Sequence, residues 1–182
     1  MKKTTLLVII LFIFFGCKKE DDNTTPFKYF DFSFNNTFGT CFSIKFTPKD
    51  IIYLREHWNS NTAFDSTKSP KNKTNYIAYL SKKDRKELSD LISKTQLKNY
   101  DSMYNEDYTD GRFYIMYIDK DSIKKSIAVH SRKKDVPKEL DSLAIWIYNW
   151  KKTAKLIETK KKLFFFSSKY ILPPPPPPLK SN

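Results

Sequence analysis

The sequence predicts an α+β domain in which two helices pack on an antiparallel sheet. Apolar residues alternate with polar ones in several short segments, two other segments carry apolar residues at helical spacing, and short turns join some of the neighbouring strands. Strands that follow one another directly favour antiparallel pairing. The predicted order is β-β-β-β-α-β-β-α within a single domain at residues 27–158, with an extra C-terminal edge strand as an option.

The first two predicted strands show the alternation most clearly. Each carries three bulky apolar residues on one face and mostly polar residues on the other, which predicts half-buried strands. The apolar positions are Phe30, Phe32 and Phe34 in the first strand and Phe42, Ile44 and Phe46 in the second. Residues 51–56 and 76–80 are expected to form the next two strands, separated by a polar loop over residues 59–74.

The helices and the hairpin have recognisable boundaries. Ser81 followed by Asp84 matches a capping box and predicts a helix start. Residues 113–118 and 123–130 predict a β-hairpin, and Pro137 suits the first turn of a second helix. The helical apolar positions are Leu88, Leu91 and Ile92 in the first helix and Leu140, Leu143, Ala144 and Ile147 in the second.

Residues 159–182 form a basic and aromatic segment followed by a proline-rich tail. Three lysines precede the apolar residues 163–166, which are the candidate for the extra edge strand, and six prolines occupy residues 173–178. A proline run adopts polyproline II and cannot join a sheet ladder, so the tail is expected to be disordered.

The positive charge does not predict nucleic-acid binding. The chain has 33 basic and 20 acidic residues, a net charge of +13, yet only four of the basic residues are arginine. Phosphate recognition favours the planar arginine fork, so a solvated lysine-rich surface is the favoured interpretation. Attraction to anionic glycans remains the alternative.

No motif for catalysis, metal or cofactor binding stands out, so none of these is predicted. His57 and His130 lack ligands at metal spacing, and the chain has only three glycines, too few for a phosphate loop. Acidic residues at 105–110 could form a loose calcium site or a solvated turn. Tyr100, Tyr104 and Tyr108 could stack on a glycan, although core packing is favoured.

The first seventeen residues have the pattern of a secretory signal. Lys2 and Lys3 precede the apolar residues 6–15, which are too few to span a membrane, and Gly16 is small enough for cleavage before Cys17. Residues 1–16 are therefore expected to be removed, which leaves 182 − 16 = 166 residues with a net charge of 13 − 2 = +11. Residues 17–26 are polar and read as a flexible tether.

The residues around Gly16 and Cys17 resemble the lipobox of bacterial lipoproteins. This resemblance implies that Cys17 carries the acyl chains, such as palmitate, that hold the protein on a lipid bilayer. Lys19, Glu20 and Asp21 resemble the export signal of surface-exposed Gram-negative lipoproteins. The implied location is the outer face of the outer membrane, with the periplasmic face as the alternative.

The core resembles a small Cys-Phe-Gly-x-Cys-Pro domain of unknown function found in lipoproteins. The matching segment is Thr37-Phe38-Gly39-Thr40-Cys41, between the first two strands. Thr37 replaces the first cysteine of that element, so the family's paired thiols are absent, and Cys41 is expected to be buried and unreactive. The resemblance implies a fold and no activity.

The sequence therefore predicts a membrane-anchored, non-catalytic binding module. Its expected partners are the bilayer, through acylated Cys17, and an unidentified protein or glycan. A periplasm-facing inhibitor or immunity-type lipoprotein is the alternative, and an enzyme without a recognisable motif is the third hypothesis.

Overall fold

The structure of the protein is a computed structural model. It describes residues 25–36, 39–59, 74–107, 111–130 and 135–170. The predicted leader, most of the tether, most of the loop at residues 59–74 and the proline run lie outside the described residues.

Among the described residues, eight strands form one sheet in the order β5-β7-β6-β1-β2-β3-β4-β8. Every neighbouring pair is antiparallel except β5 and β7, which are parallel. The strands are β1 (Tyr29–Asn36), β2 (Thr40–Phe46), β3 (Ile51–Asn59), β4 (Thr74–Tyr79), β5 (Met103–Asn105), β6 (Arg112–Lys120), β7 (Ile123–His130) and β8 (Ile157–Thr159). The α+β class is confirmed. The order differs from the prediction because β5 is added, and β8 takes the place of the optional C-terminal edge strand.

Two α-helices lie in the described part of the chain, α1 (Lys82–Ser93) and α2 (Lys138–Thr153), and the predicted capping box at the start of α1 is present. The Asp84 N–H donates to Ser81 Oγ at 3.1 Å, and the Ser81 N–H donates back to the Asp84 carboxylate at 3.4 Å. α2 begins directly after Pro137. Neither helix is long and apolar enough to cross a bilayer.

Both helices pack on one side of the sheet, here called the inner face, and form the hydrophobic core with it. Its strand residues include the six alternating positions predicted from the sequence, all of which are buried. The Trp146 indole N–H donates to Glu87 at 2.9 Å, which ties α2 to α1, and Lys151 lies 2.8 Å from Glu56 on β3. The predicted helical core positions Leu88, Ile92, Leu140, Leu143, Ala144 and Ile147 are buried with them.

The two added strands are short. β8 pairs with β4 and supplies an edge, so the prediction that residues 163–166 form the edge strand is wrong. β5 pairs with β7. Each strand has only three residues, too few to show an alternating pattern in the sequence.

The β6–β7 hairpin has a tight turn, and the lysine just before that turn ties the hairpin to the end of α1. Asp121 and Ser122 have φ values of 50° and 64°, the positive values that a two-residue type I′ turn requires. The side chain of Lys120, just before the turn, is buried and donates to the carbonyls of Ile92, Ser93 and Thr95. A cation at these carbonyls satisfies groups that the end of a helix leaves without partners.

Candidate functional site

The opposite side of the sheet, here called the outer face, is also covered at its centre. The sequence predicts that Asp31, Ser33 and Ser43 face solvent, but they are 0%, 2% and 0% exposed. The cover is residues 163–169, here called the covering segment, which lie after the domain predicted at residues 27–158. The prediction of half-buried central strands is therefore wrong.

Asp31 holds the covering segment to β1. Its carboxylate accepts hydrogen bonds from the N–H groups of Phe166 at 2.6 Å and Ser167 at 3.0 Å, and from the Tyr29 hydroxyl at 2.7 Å. Burial raises the pKa of Asp31, and these hydrogen bonds, which favour the charged form, only partly oppose the rise. Burial also raises the pKa of Tyr29, and the Asp31 carboxylate raises it further.

A chain of hydroxyl groups continues the polar contacts beneath the covering segment. Ser33 Oγ lies 2.7 Å from both Ser43 Oγ and Ser167 Oγ, and Ser43 Oγ lies 3.0 Å from His57 Nε2. A serine beside a histidine is the arrangement of an activated nucleophile. Here the Ser43 side chain is fully buried and is also engaged by Ser33, which links it to Ser167 of the covering segment.

Two basic side chains fix the start of the covering segment. Arg55 donates to the Leu163 carbonyl at 2.7 Å and to Asn75 at 2.9 Å, and Lys45 donates to the Phe164 carbonyl at 3.3 Å. Both cations lie near the ring of Phe165, at 5.4 Å and 5.9 Å from its centroid. Burial lowers the pKa of Lys45 and of Arg55.

The covering segment presents aromatic rings and lysines to solvent. Phe164 is 63% exposed and Phe166 is 48% exposed. The Phe166 ring stacks on Tyr117 with centroids 4.5 Å apart and meets the Tyr29 ring edge-on at 5.2 Å. We call this region the aromatic–lysine surface: Tyr29, Tyr117, Phe164, Phe166 and the exposed Lys160, Lys161 and Lys162.

On the inner side, a pocket of about 200 Å³ opens between α2 and the ends of β1 and β6. Its apolar wall includes the Phe34 and Tyr148 rings, whose centroids are 4.9 Å apart, and the half-exposed Ile145. The full lining is Phe34, Asn36, Arg112, Ala144, Ile145 and Tyr148. Pockets that enclose a whole small-molecule ligand usually measure about 300–1,000 Å³, so this one suits a single side chain.

Arg112 supplies the positive charge of the pocket. Its guanidinium donates to the Asp141 carboxylate at 3.0 Å, and the Tyr114 hydroxyl donates to the same oxygen at 2.9 Å. Burial and the Asp141 carboxylate both raise the pKa of Tyr114, which keeps the phenol protonated as a donor. The pocket therefore combines apolar walls with one polar edge, where Arg112 is paired with Asp141.

The residues predicted to anchor and export the protein, namely Gly16, Cys17, Lys19, Glu20 and Asp21, lie outside the described residues. Their roles therefore stay predictions. Cys41 is predicted from the sequence to be buried, and the structure confirms that it is buried and not in a disulfide.

The structure bears on two further site hypotheses. Tyr100 and Tyr104 are buried in the core, so they do not form a glycan-stacking platform; Tyr108 lies outside the described residues. Across the described ranges there is no group of three His, Cys, Asp or Glu side chains placed to hold a metal ion.

Sequence reasoning missed both the pocket and the aromatic–lysine surface. Arg112 and α2 are far apart in the sequence, and only the pairing of β6 with β1 brings Arg112 under the helix. The available signal for the surface was the run of lysines followed by phenylalanines. Nothing near that run in the sequence indicates that it packs on the sheet, so the sequence predicts only a terminal segment there.

The fold and these sites define a single-sheet α+β protein with helices on one face and a covering segment on the other. Residues 32–150 match the family described as domain of unknown function DUF6438. This match covers well over half of the chain, so the protein belongs to that family. No curated protein matches the chain.

Proposed function

We propose that the protein is a lipid-anchored binding module of a bacterial cell envelope and that it catalyses no reaction. The observation that carries the anchor is the apolar run that ends at Gly16 and Cys17. Acyl chains on Cys17 would hold the domain on the bilayer without a membrane-spanning helix. The export residues Lys19, Glu20 and Asp21 support placement on the outer face of the outer membrane.

The binding role rests on the pocket beside Arg112. Its volume suits one side chain, its walls are apolar, and the Arg112 side chain, paired with Asp141, gives it one polar edge. A protein that inserts one anchoring side chain fits this shape better than an extended glycan does. Such an anchor, enclosed by apolar walls, commonly dominates the energy of a protein interface.

The anchor is tested by replacing Cys17 with Ser in the full-length chain. We expect the wild-type protein to fractionate with membranes and to show an acylated N-terminal Cys17 by mass spectrometry. The Cys17→Ser protein should carry no acyl chain, and a high-salt wash should release it from membranes while the wild-type protein stays bound. An unmodified thiol at Cys17 in the native protein would overturn the anchor.

The binding role is tested by pull-down from intact cells with the acylated protein and two matched variants. Ile145→Glu places a charge in the pocket wall, whereas Met103→Glu changes a similarly exposed residue on β5. A partner that uses the pocket should be lost with Ile145→Glu and retained with Met103→Glu. Equal capture by both variants would place the binding surface elsewhere.

The second candidate is a periplasm-facing inhibitor or immunity-type lipoprotein. The same pocket favours it, since an inhibitor also requires a protein partner. Protease treatment of intact cells distinguishes the two locations: it should remove a surface-exposed domain and spare one that faces the periplasm.

A further inference from the structure

We propose that the aromatic–lysine surface docks the domain directly onto an anionic lipid bilayer. This orientation rests on the proposed anchor at Cys17, and it extends the proposed function by naming the face that meets the membrane. The pocket beside Arg112 lies on the opposite side of the sheet and would then point away from the lipid.

The first argument is the place where the tether enters the domain. Residues 17–26 span at most roughly 35 Å when fully extended, at about 3.5 Å per residue. The chain enters β1 at Tyr29, whose ring centroid lies 5.2 Å from that of Phe166. An anchor on Cys17 would therefore keep the aromatic–lysine surface within reach of the bilayer.

The second argument is the exposure of two phenylalanines that have no polar atoms. Phe164 is 63% exposed and Phe166 is 48% exposed, and both lie on a segment that hydrogen bonds fix to β1, β2 and β3. Exposed phenylalanine gains free energy when it enters the interfacial region of a bilayer. Because the covering segment is fixed, little ordering of the chain is needed on docking.

The third argument is charge. Lys160, Lys161 and Lys162 are exposed immediately before these rings, whereas the nearby Asp31 carboxylate is buried beneath the covering segment. Lysine attracts anionic headgroups as a point charge and needs no fixed geometry. Each lysine held near an anionic membrane strengthens binding by roughly fivefold.

The ring arrangement favours lipid over a glycan. A sugar stacks on an open aromatic face, but Phe166 and Tyr117 are stacked on each other with an interplanar angle of 27°. Phe164 meets Phe166 edge-on at 87°. Stacking on Tyr117 therefore occupies one face of the Phe166 ring, and the remaining exposed parts of Phe164 and Phe166 can insert between headgroups.

The test uses the mature chain, residues 17–182, with Cys17 replaced by Ser so that only the surface can bind lipid. We expect it to sediment with vesicles of equal parts phosphatidylcholine and phosphatidylglycerol and far less with phosphatidylcholine alone. The combined variant Lys160→Gln, Lys161→Gln and Lys162→Gln should weaken binding on the order of 100-fold. The matched control is Lys82→Gln, Lys83→Gln and Lys86→Gln on α1, which removes the same charge and should leave binding unchanged.

The apolar contribution is tested at Phe164, which is too exposed to be needed for folding. Phe164→Ser should weaken vesicle binding roughly tenfold, and Phe164→Leu should restore most of it. Equal sedimentation with both vesicle types, or equal loss in the two lysine variants, would overturn the proposal. So would retention of the Cys17→Ser chain by a soluble anionic polysaccharide together with no sedimentation on the mixed vesicles.

These outcomes are separate from those of the anchor experiment. Native protein with an unmodified Cys17 would remove the anchor, while vesicle binding of the Cys17→Ser chain would still report on the surface. Conversely, an acylated protein whose Cys17→Ser form ignores anionic vesicles would keep the anchor and lose the docking surface.

Discussion

The two faces of the sheet are both buried at the centre, but by different means. The inner face uses rings and aliphatic side chains, such as Phe32 and Leu143, packed between the strands and two helices. On the outer face, Asp31 and Ser33 form hydrogen bonds with the covering segment, and Ser43 joins this network through Ser33. Apolar burial stabilises a fold without fixed directions, whereas buried polar groups require particular partners.

This difference predicts how each face responds to substitution. Loss of an inner side chain should lower the global free energy of unfolding, because it leaves a cavity in the core that the strands and both helices form together. Loss of an outer polar group should mainly release the covering segment, which touches the sheet without forming a strand.

The largest effect is expected for Phe32→Ala on the inner face. Phe32 is fully buried against the rings of Phe34, Phe42 and Tyr114, with centroids 5.8–6.3 Å away. The substitution should lower the free energy of unfolding by about 3–5 kcal/mol, measured by urea denaturation. A loss under about 1 kcal/mol would show that the inner core is not the main source of stability.

A smaller and more local effect is expected for Asp31→Ala on the outer face. It leaves the N–H groups of Phe166 and Ser167 without their acceptor, at a cost of about 1–3 kcal/mol. Hydrogen exchange at these two amides should accelerate much more than at amides of β1 and β6. Asp101→Ala replaces an exposed aspartate and serves as the matched control. It should leave the free energy of unfolding and the exchange of these two amides unchanged.

The smallest effect is a change of stability with pH that originates at Asp31. Because burial raises its pKa above the ordinary value of 3.8, the folded protein binds a proton more readily than the unfolded chain. The stability due to this group is therefore complete below pH 3.8 and is lost as the pH rises through the raised pKa. Asp31→Asn should abolish that fall in a comparison of denaturation midpoints across acidic pH; an unchanged profile would assign the dependence to another group.

Much of the inner face could be predicted from the sequence because its signals are local. Phe30, Phe32 and Phe34 alternate along one strand, and the Ser81 and Asp84 pair lies within one helical turn. The hairpin was also predictable, although the buried role of Lys120 was not. That lysine lies in a polar stretch, and its carbonyl partners at residues 92–95 are remote in the sequence.

The outer face and the pocket could not be predicted because their partners are distant along the chain. Asp31 and Ser33 follow the usual pattern of solvent-facing strand residues, and nothing near them in the sequence indicates a cover. The pocket likewise needs Arg112 and Tyr148 to meet across the β6–β1 pairing. Alternation reports which residues share a face, but it does not report what later covers that face.

The contacts of Ser167 with Ser33 and of its N–H with Asp31 span 134 and 136 positions along the polypeptide. Contacts between residues this distant in sequence form late in folding, because a long stretch of chain must be ordered first. During synthesis, which proceeds from the N-terminus, β1 emerges long before its final polar partners. Folding should therefore end with the docking of the covering segment. Until then, the outer face of the central strands would be exposed to water in an otherwise folded domain.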